Sequence, residues 1–585
     1  MKPKRFYFRA PNLFGTSLKY GVPVFAGFTF LISGISEAGD LLRGGGSAAS
    51  NKPGRAAASG APTPAATDAA RANAKDTLAR TTRTLDAMRA MQNAARDAAM
   101  RNSANHLGTN PNNPSLTLPD VPEGLGAGGL APNLAKWTGA KNPVQQVKEG
   151  KTTVTITQTA QQALLEWQTL NVGKKTTLTF DQKAGGADVG KWIAFNKVTD
   201  PTGNPTQILG NIKADGQVYL INTNGIIFGG GSQVNARGLT ASSLPINKNL
   251  IARGLLNNPD AQFLFSGLAI PAGTNGTPAF TPEAPIATSG KYGDVTVQKG
   301  AILNSPTNAA KVGGRITLVG PNVAMEGSIS TPDGQTILAA GLQVGFDSHI
   351  SSDASLRGLD VFVGAVEDPV VGRYAGTVAQ SGLVEAERGN ITLAGRDLQQ
   401  DGLLVSTTSV SLNGRIDLIA NYNGISNPRT GNSTGDLFLF KNTGSISLGE
   451  NSVIRIVPEY KSKETTIGTE LALRSQINLT GKTIRLGQGS TVLAPNAVVS
   501  LMAGTWLFDD SLPRSTFLKT GGQFYAESGS VLEVSGSLDV AAPVSQNIIA
   551  VDLRGAELAD SPLQREGRLR GLNVQVDIRD AGIYQ

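Results

Sequence analysis

Short apolar and polar runs separated by Gly, Asn and Asp corners fill the chain from Thr152 onward. The first clear runs are 154–157 and 176–180, in which apolar or aromatic side chains alternate with Thr. An alternation with a period of two predicts strands with one buried face and one solvated face. No long segment of this region has the 3.6-residue period of an amphipathic helix, so the main body is predicted to be all-β.

One local unit, a corner glycine and a polar residue followed by a short apolar-rich strand, recurs along the chain. Its copies begin at Gly293, Gly314, Gly334, Gly389, Gly414 and Gly435. Successive copies start about 20 to 25 residues apart, except for one longer gap between Gly334 and Gly389. This recurrence fits one coil of a β-solenoid, in which about 16–20 coils would stack at about 4.8 Å. The alternative, a row of β-sandwich domains, predicts a period of roughly 100 residues that the chain does not have.

Five stretches interrupt this pattern and are predicted to be loops or hairpins outside the coils. They are 245–290, 346–373, 421–434, 458–474 and 506–520. Loops on a rigid scaffold often carry recognition, although a tolerated insertion explains each of them equally well.

The amino-terminal part of the chain, up to residue 120, differs from the rest and is predicted to form four segments. Basic residues precede a charge-free apolar run and a small-residue site at Ser36 and Ala38, which predicts a signal peptide over 1–38. Residues 39–66 are rich in Gly, Ala, Ser and Pro and predict a flexible linker. Residues 67–105 lack Gly and Pro and carry a loose apolar stripe, which predicts an amphipathic helical spacer exposed to solvent. A partner-binding role for this helix stays open. Residues 106–120 are predicted to be a second linker.

Composition narrows the possible functions. The chain has no Cys and two His among 585 residues, which excludes thiol chemistry and disfavours a multi-histidine metal site. Residues 1–105 hold 15 Lys and Arg against 6 Asp and Glu, whereas the rest of the chain holds 37 against 39. The main body therefore has no general positive field for nucleic acid. No cofactor is predicted, and no transmembrane helix is expected in the mature chain.

The most distinctive stretch is 209–244, LGNIKADGQVYLINTNGIIFGGGSQVNARGLTASSL. The corner Asn222-Thr223-Asn224-Gly225 lies between two apolar runs, and Asn side chains and Gly backbones both suit such turns. By itself this pattern also fits an ordinary solenoid corner that binds no partner.

The stretch resembles the amino-terminal secretion domain of filamentous-haemagglutinin-like exoproteins, the cargo of two-partner secretion. That family has an Asn-Pro-Asn-Gly corner, and here Thr223 replaces the Pro. Gly238-Leu-Thr-Ala241-Ser242-Ser-Leu244 matches the closing motif of the family, and the segment from Trp167 to Gly173 is similar to an upstream element that includes Asn171. The second family motif is absent, and 195–198 stand in its place, so no role is transferred to those four residues.

The resemblance implies a right-handed parallel β-helix with a two-partner secretion domain over 121–300 and a β-helical rod with loop insertions over 301–585. It further implies export through the periplasm, recognition by an outer-membrane β-barrel transporter with periplasmic domains, and a secreted or surface-attached product. The residues to which it assigns transporter recognition are Asn171, Asn222, Thr223, Asn224, Gly225, Gly229, Gly238, Ala241 and Ser242.

Three functions remain open at this point. The first is a surface adhesin or haemagglutinin that binds a receptor or glycan on a host or neighbouring cell. The second is the delivery stalk of a longer contact-dependent toxin or haemolysin, since the last apparent strand has no evident cap. The third is a carbohydrate-active β-helix enzyme, for which the candidate acids are Glu367 with Asp368, Asp509 with Asp510, and the group Asp347, His349 and Asp353. Because these acids lie in the pattern breaks, no active site is predicted.

Overall fold

The computed structural model describes the larger part of the chain after residue 63. The described residues are 64–110, 113–285, 290–308, 311–348, 356–409, 412–427, 437–459, 474–509, 511, 514–536, 548–553 and 567–577. The expected signal peptide (1–38) and residues 39–63 of the expected linker lie outside this set.

Two α-helices and 45 strands make up the regular structure of the described residues. Helix α1 (Pro64–Arg101) is rich in Ala and free of Gly, a composition that favours a helix without further support. The strands before the asparagine corner are β1 (Thr109–Asn110), β2 (Asn113–Thr117), β3 (Leu130–Thr138), β4 (Val144–Lys148), β5 (Lys151–Thr157), β6 (Gln162–Leu170), β7 (Thr176–Asp181), β8 (Ile193–Val198), β9 (Thr206–Ile208) and β10 (Asn211–Ile221). A 3₁₀ segment covers Lys183–Lys191 between β7 and β8.

The middle of the chain continues with a short helix and a series of mostly short strands. They are β11 (Ile226–Phe228), β12 (Gln233–Ser242), α2 (Lys248–Arg253), β13 (Phe265–Ser266), β14 (Val295–Val297), β15 (Ile302–Asn304), β16 (Arg315–Gly320), β17 (Asn322–Met325), β18 (Ser328–Ser330), β19 (Gln335–Ala340), β20 (Gln343–Ser348), β21 (Leu359–Val363), β22 (Glu367–Asp368), β23 (Gly372–Arg373), β24 (Thr377–Gln380), β25 (Leu383–Ala386), β26 (Asn390–Ala394), β27 (Asp397–Gln400), β28 (Leu403–Thr408) and β29 (Arg415–Ile419).

The remaining strands are also short. They are β30 (Asn421–Tyr422), β31 (Ile425–Ser426), β32 (Phe438–Leu439), β33 (Asn442–Thr443), β34 (Ser445–Leu448), β35 (Val453–Pro458), β36 (Gln476–Gly481), β37 (Thr483–Leu486), β38 (Thr491–Leu493), β39 (Val498–Ala503), β40 (Thr505–Asp509), β41 (Arg514–Leu518), β42 (Gln523–Ala526), β43 (Val531–Glu533), β44 (Ile548–Asp552) and β45 (Asn573–Asp577).

The strands stack into a parallel β-helix with three faces, so the predicted fold class is confirmed. Face A stacks β5, β7, the first half of β10, the first half of β12, β15, β18, β25, β28, β35, β38 and β43. Face B stacks β6, β8, the second halves of β10 and β12, β16, β19, β26, β29, β36 and β39. Face C stacks β9, β11, β14, β17, β24, β27, β34, β37 and β42.

The interior is a column of aliphatic side chains that the strand alternation points inward. In face B, for example, Ile316 pairs in register with Thr336 while Leu318 pairs with Leu338, and the apolar members are fully buried. The same positions on the next two strands hold Leu393 and Leu418. Each coil therefore buries its inward-pointing apolar residues within itself and against its two neighbours, the property that makes a solenoid nearly one-dimensional.

The ladder of face A has eleven parallel strands among the described residues, which corresponds to about 48 Å at the usual strand spacing. This is shorter than the stack of about 16–20 coils expected from the sequence. The difference arises because insertions outside the coils take up much of the chain. Antiparallel strands β3 and β4 cover the first rungs β6 and β5, which protects the amino-terminal edge of the stack.

The insertions between named strands leave the stack mostly at one corner, where face B passes to face C. Helix α2 and β13 follow β12, strands β20–β23 follow β19, strands β30–β33 follow β29, and the hairpin β40–β41 follows β39. Several of them fold back on the outer side of face B, where Tyr219 and Ile337 pack with Phe265, Phe346 and Val361 in a second apolar cluster.

Helix α1 lies along the outer surface of face A, which differs from the solvated spacer that the sequence favoured. Leu85 is buried with Leu383, Leu403, Val405 and Val453, which belong to three successive strands of face A.

The helix runs antiparallel to the stack. Arg96 donates to the Ser232 carbonyl oxygen before β12, whereas Arg80 donates to the Thr491 hydroxyl in β38. At a rise of about 1.5 Å per residue, the stretch from Arg80 to Arg96 is about 24 Å long. With the reach of the two arginine side chains, this length covers the coils between β12 and β38.

Candidate functional site

The asparagine corner is the tight turn that joins β10 on face B to β11 on face C. The Asn222 side chain accepts a hydrogen bond from the Asn224 backbone N–H at 3.0 Å and donates to the Thr206 hydroxyl at 3.0 Å. The Asn224 side chain donates to the Asp200 carbonyl oxygen at 2.9 Å. Gly225 has φ +107°, a conformation that glycine adopts without steric cost. The residue types of the corner are therefore explained by local hydrogen bonds and backbone geometry.

Asn171 holds the preceding coil in the same way. Its side chain donates to the Gly128 carbonyl oxygen at 2.9 Å and accepts from the Gln207 backbone N–H at 2.7 Å. The Gln207 side chain in turn donates to the Pro119 carbonyl oxygen and accepts from the Leu107 N–H. This chain of bonds ties the start of face C to the segment that leads into the β-helix.

The remaining motif residues occupy close contacts around the next coil. A Cβ at Gly229 would lie 2.5 Å from Leu107 Cδ2, and one at Gly238 would lie 3.1 Å from Gln217 Cγ. Ala241 points into the interior column. The Ser242 hydroxyl donates to the Leu244 carbonyl oxygen at 2.9 Å, which closes the turn at the end of β12.

All nine residues of the predicted recognition set are buried in the folded chain. They belong to consecutive coils, but no side chain among them forms a displayed polar surface. Asn222 and Asn224 are 1% and 2% exposed, and Thr223 is 7% exposed. The ionisable residue next to the corner is Asp200. Its backbone carbonyl oxygen accepts from Asn224, while its carboxylate accepts from Thr202. The arrangement can order a backbone, but it lacks the paired acids or bases that proton transfer needs.

Asn196 is a buried residue of this region to which sequence reasoning gave no role. Its side-chain oxygen accepts from the Trp167 indole N–H at 3.0 Å, and its amide nitrogen donates to the carbonyl oxygens of Ala194 and Tyr219. It therefore links β6, β8 and β10 on face B. The signal that could have found it is an uncharged amide, Asn196, directly after the apolar residues 193–195.

The acids considered as catalytic candidates do not come together among the described residues. Asp368 accepts from the backbone N–H groups of Val370 and Val371, and Asp509 accepts from Ser511, so each caps its own turn. His349, Asp353 and Asp510 lie outside the described residues. Within the part of the chain that the structure describes, no three metal-ligating side chains of His, Asp or Glu form a cluster.

Comparison with known proteins identifies the region that contains these coils. Residues 133–424 match the family model of the TPS secretion domain. The chain is a member of the two-partner secretion exoproteins. The matched region of the exoprotein includes all nine motif residues and most of the described β-helix.

Two curated relatives share a short segment with the exoprotein. A stretch of 95 residues is 34% identical to the heme/hemopexin-binding protein of Haemophilus influenzae, and 32% identical to the protein of that name from strain KW20 Rd. Each match covers 16% of this chain and about 10% of the relative's length. Among solved structures, the HMW1 secretion domain from Haemophilus influenzae aligns at 18% identity with a TM-score of 0.40, covering 68% of this chain and 82% of that one.

Membership of this family fixes the coarse biology of the exoprotein. A TPS secretion domain implies a cognate transporter in the outer membrane, and exoproteins of this family are secreted by that route. The matched family model describes a secretion domain. No helix in the described part of the chain has both the length and the apolar character that crossing a bilayer requires.

Proposed function

We propose that the exoprotein acts as a surface adhesin, a rod that the transporter delivers to the outside of the cell. The observation that carries this proposal is the continuous ladder of parallel strands that begins in the secretion domain and continues through face A to β43. Such a ladder is stiff along its axis, and its insertions present loops at one corner of the rod. A receptor or glycan on a host or neighbouring cell would be bound by those loops.

The proposal assigns two successive roles to the asparagine corner. In the unfolded chain, Asn222, Asn224 and Asn171 are exposed and available to the periplasmic domains of the transporter. In the folded chain the same side chains are buried and satisfy backbone groups of the first coils. Burial of the recognition element on folding would release the transporter, because the bound and folded states compete for the same residues.

Folding outside the cell supplies a direction for transport in this scheme. Each new coil pairs its backbone groups with the coil before it and buries its apolar column, so each adds a nearest-neighbour free energy. A stack that grows on the outer side disfavours return of the chain through the transporter. No nucleotide is required for this bias.

A binding experiment tests the recognition half of the proposal. A synthetic peptide of residues 209–244 represents the extended motif, and the folded full chain represents the buried one. Periplasmic domains of the transporter should bind the peptide, should bind the Asn222→Ala peptide at least tenfold more weakly, and should not bind the folded chain. Equal binding of the folded chain and the peptide would contradict the two-state role of the corner.

Secretion and adhesion test the biological half. With the transporter co-produced, Asn222→Ala and Asn224→Ala should remove the exoprotein from the medium and the cell surface, while cytoplasmic synthesis stays unchanged. Asn204→Ala is a matched control, because that side-chain amide donates only to the nearby Thr202 hydroxyl. Cells that display the wild-type rod should adhere to host cells or erythrocytes. Normal display without adhesion would refute the adhesin function and leave the secretion route intact.

A further inference from the structure

A polar cleft lies where face A passes to face B, and the segment before β21 of one insertion closes part of it. Its volume is about 260 Å³, and its lining includes Arg237, Arg315, Arg357, Gln335 and Asn390. We propose that this cleft binds the oxyanion of an acidic sugar, a carboxylate or a sulfate, through Arg315 and the two flanking arginines. The inference rests on the proposed adhesin function for its setting and names a ligand class for it.

Arg315 carries the most deeply buried guanidinium of the three arginines in the cleft. It stands at the start of β16, next to Tyr219 and between Gly238 and Gln335 of the neighbouring strands. Burial lowers the pKa of its guanidinium, and the Tyr219 hydroxyl only partly opposes this effect. No described carboxylate lies against it, and its buried Nε has no hydrogen-bond acceptor. A buried cation without an anion is energetically costly. A cleft that keeps such a cation is therefore a candidate site for binding an anion.

Arg357 and Arg237 add positive charge to the cleft, and both donate to backbone carbonyl oxygens. Arg357 donates through Nη2 to the carbonyl oxygens of Arg388 and Asn413, while its buried Nε has no acceptor. Arg237 donates to the carbonyl oxygens of Pro306 and Gly313. Backbone carbonyls fix both guanidinium groups in place, which pre-organises them for a planar oxyanion.

The acid at this cleft is already paired. Asp333 also lines the cleft, but its carboxylate accepts from Arg388 Nε at 2.6 Å and from Arg388 Nη2 at 3.2 Å. Asp333 attracts the Arg357 guanidinium as well, but burial outweighs this attraction and still lowers the pKa of Arg357. Arg388 also pairs with Glu459, so Asp333 still offsets part of the charge of Arg357. The positive charge that remains in the cleft is mainly that of Arg237 and Arg315.

The other walls favour a hydroxylated ligand over a bare ion. The buried Oδ1 of Asn390 has no hydrogen-bond donor among the described residues, while its Nδ2 donates to the Arg357 carbonyl oxygen. A ligand hydroxyl could donate to this oxygen. Glycines form much of the wall, and a Cβ at Gly358 would lie 2.7 Å from Gln335 Oε1, so a side chain at this position would crowd the cleft. An anion next to hydroxyl donors is the chemistry of a uronate or a sugar sulfate.

Ligand-observed NMR with the full secreted exoprotein tests this assignment. The probes are glucuronic acid, glucose 6-sulfate, glucose and inorganic sulfate. One or both acidic sugars should bind, glucose should not, and Arg315→Gln should weaken binding by about tenfold, as expected for loss of a charge-assisted hydrogen bond. Arg485→Gln is the matched control, because it removes a half-exposed arginine that pairs with Glu527 away from the cleft.

Each result decides between the site and its alternatives. Binding of only one acidic sugar would identify whether a carboxylate or a sulfate is the preferred group. Binding of neither, or equal loss in the Arg315→Gln and Arg485→Gln proteins, would overturn the site. Equal affinity for inorganic sulfate and glucose 6-sulfate would overturn the assignment to a sugar. If Arg315→Gln does not fold, Arg237→Gln at the same cleft gives the same test. If the exoprotein binds an acidic sugar but cells that display it do not adhere, the adhesin function alone is refuted.

Discussion

Gln92 of α1 and Gly300 of the corner before β15 are held together by a hydrogen bond. The Gly300 N–H donates to Gln92 Oε1 at 2.7 Å, and Gln92 Nε2 donates to the Glu326 carbonyl oxygen at 2.7 Å. A Cβ at Gly300 would lie 2.5 Å from the Arg96 backbone nitrogen, so the helix touches the corner itself. One buried amide therefore bridges two successive corners of the β-helix to the helix beside them.

Replacing this amide should loosen α1. Gln92→Ala leaves the Gly300 N–H and the Glu326 carbonyl oxygen without their partner, a loss of about 1–3 kcal/mol for buried groups. Hydrogen exchange measured by mass spectrometry should become faster along α1 and at the two corners. The neighbouring Asn93→Ala, on the exposed side of the helix, should leave exchange unchanged. Equal exchange in both variants would show that α1 is held by its apolar contacts alone.

Asn196 should matter for stability although no motif marks it. Asn196→Ala removes the acceptor of the Trp167 indole and the donor to the Tyr219 carbonyl oxygen, so two buried groups lose a partner. We expect the free energy of unfolding to fall by about 1–3 kcal/mol, with an altered Trp fluorescence in the folded state. Denaturant unfolding followed by circular dichroism measures the first effect. Asn442→Ala, which loses one exposed bond to Asn423, should unfold like the wild type.

Asp294 makes the stability of the β-helix depend on pH. Burial raises the pKa of its carboxyl group to about 6, and hydrogen bonds from Asn322 only partly oppose this. Because the folded-state pKa lies above the unfolded value, the folded state holds more protons between about pH 4 and pH 6. The contribution of Asp294 to stability is therefore greatest below pH 4, and falls by about 2–3 kcal/mol as the pH rises through 6.

Asp294→Asn separates this effect from other titrations. The amide keeps an acceptor for Asn322 but cannot ionise, so the variant should be more stable than the wild type at pH 7 and similar at pH 4. Unfolding midpoints in urea at the two pH values measure the difference. Asp215→Asn changes an exposed acid and should not alter the pH dependence. A wild-type-like pH profile for Asp294→Asn would disprove the assignment.

The repeated unit is sufficient to predict the stacking of four coils. The units that begin at Gly314, Gly334, Gly389 and Gly414 contain β16, β19, β26 and β29, which are consecutive strands of face B. The unit at Gly293 instead contains β14 on face C, and residues 438–439 of the last unit pair antiparallel outside the stack. The local pattern specifies a half-buried strand, but the choice of face depends on contacts from distant residues.

The docking of α1 could not be predicted from hydrophobicity. The face that meets the β-helix buries Thr77, Thr81 and Gln92 beside Leu85 and the partly buried Met88, so a hydropathy stripe records only part of it. Burial of the asparagine corner was hidden for a related reason. Side chains such as Asn222 bond to neighbouring backbone within the stack, and a sequence motif does not distinguish this from display to a partner.

The antiparallel course of α1 sets the order in which the helix can dock. Its contact with the coil of β12 can form early, but its contacts through Thr82 with Arg455 and through Arg80 with Thr491 must await coils that emerge much later in the sequence. Docking therefore proceeds from the carboxyl end of the helix towards its amino end, and it advances along the stack together with the coils as they are added. Amide protection along α1 would serve as an internal gauge of how far the stack has been completed.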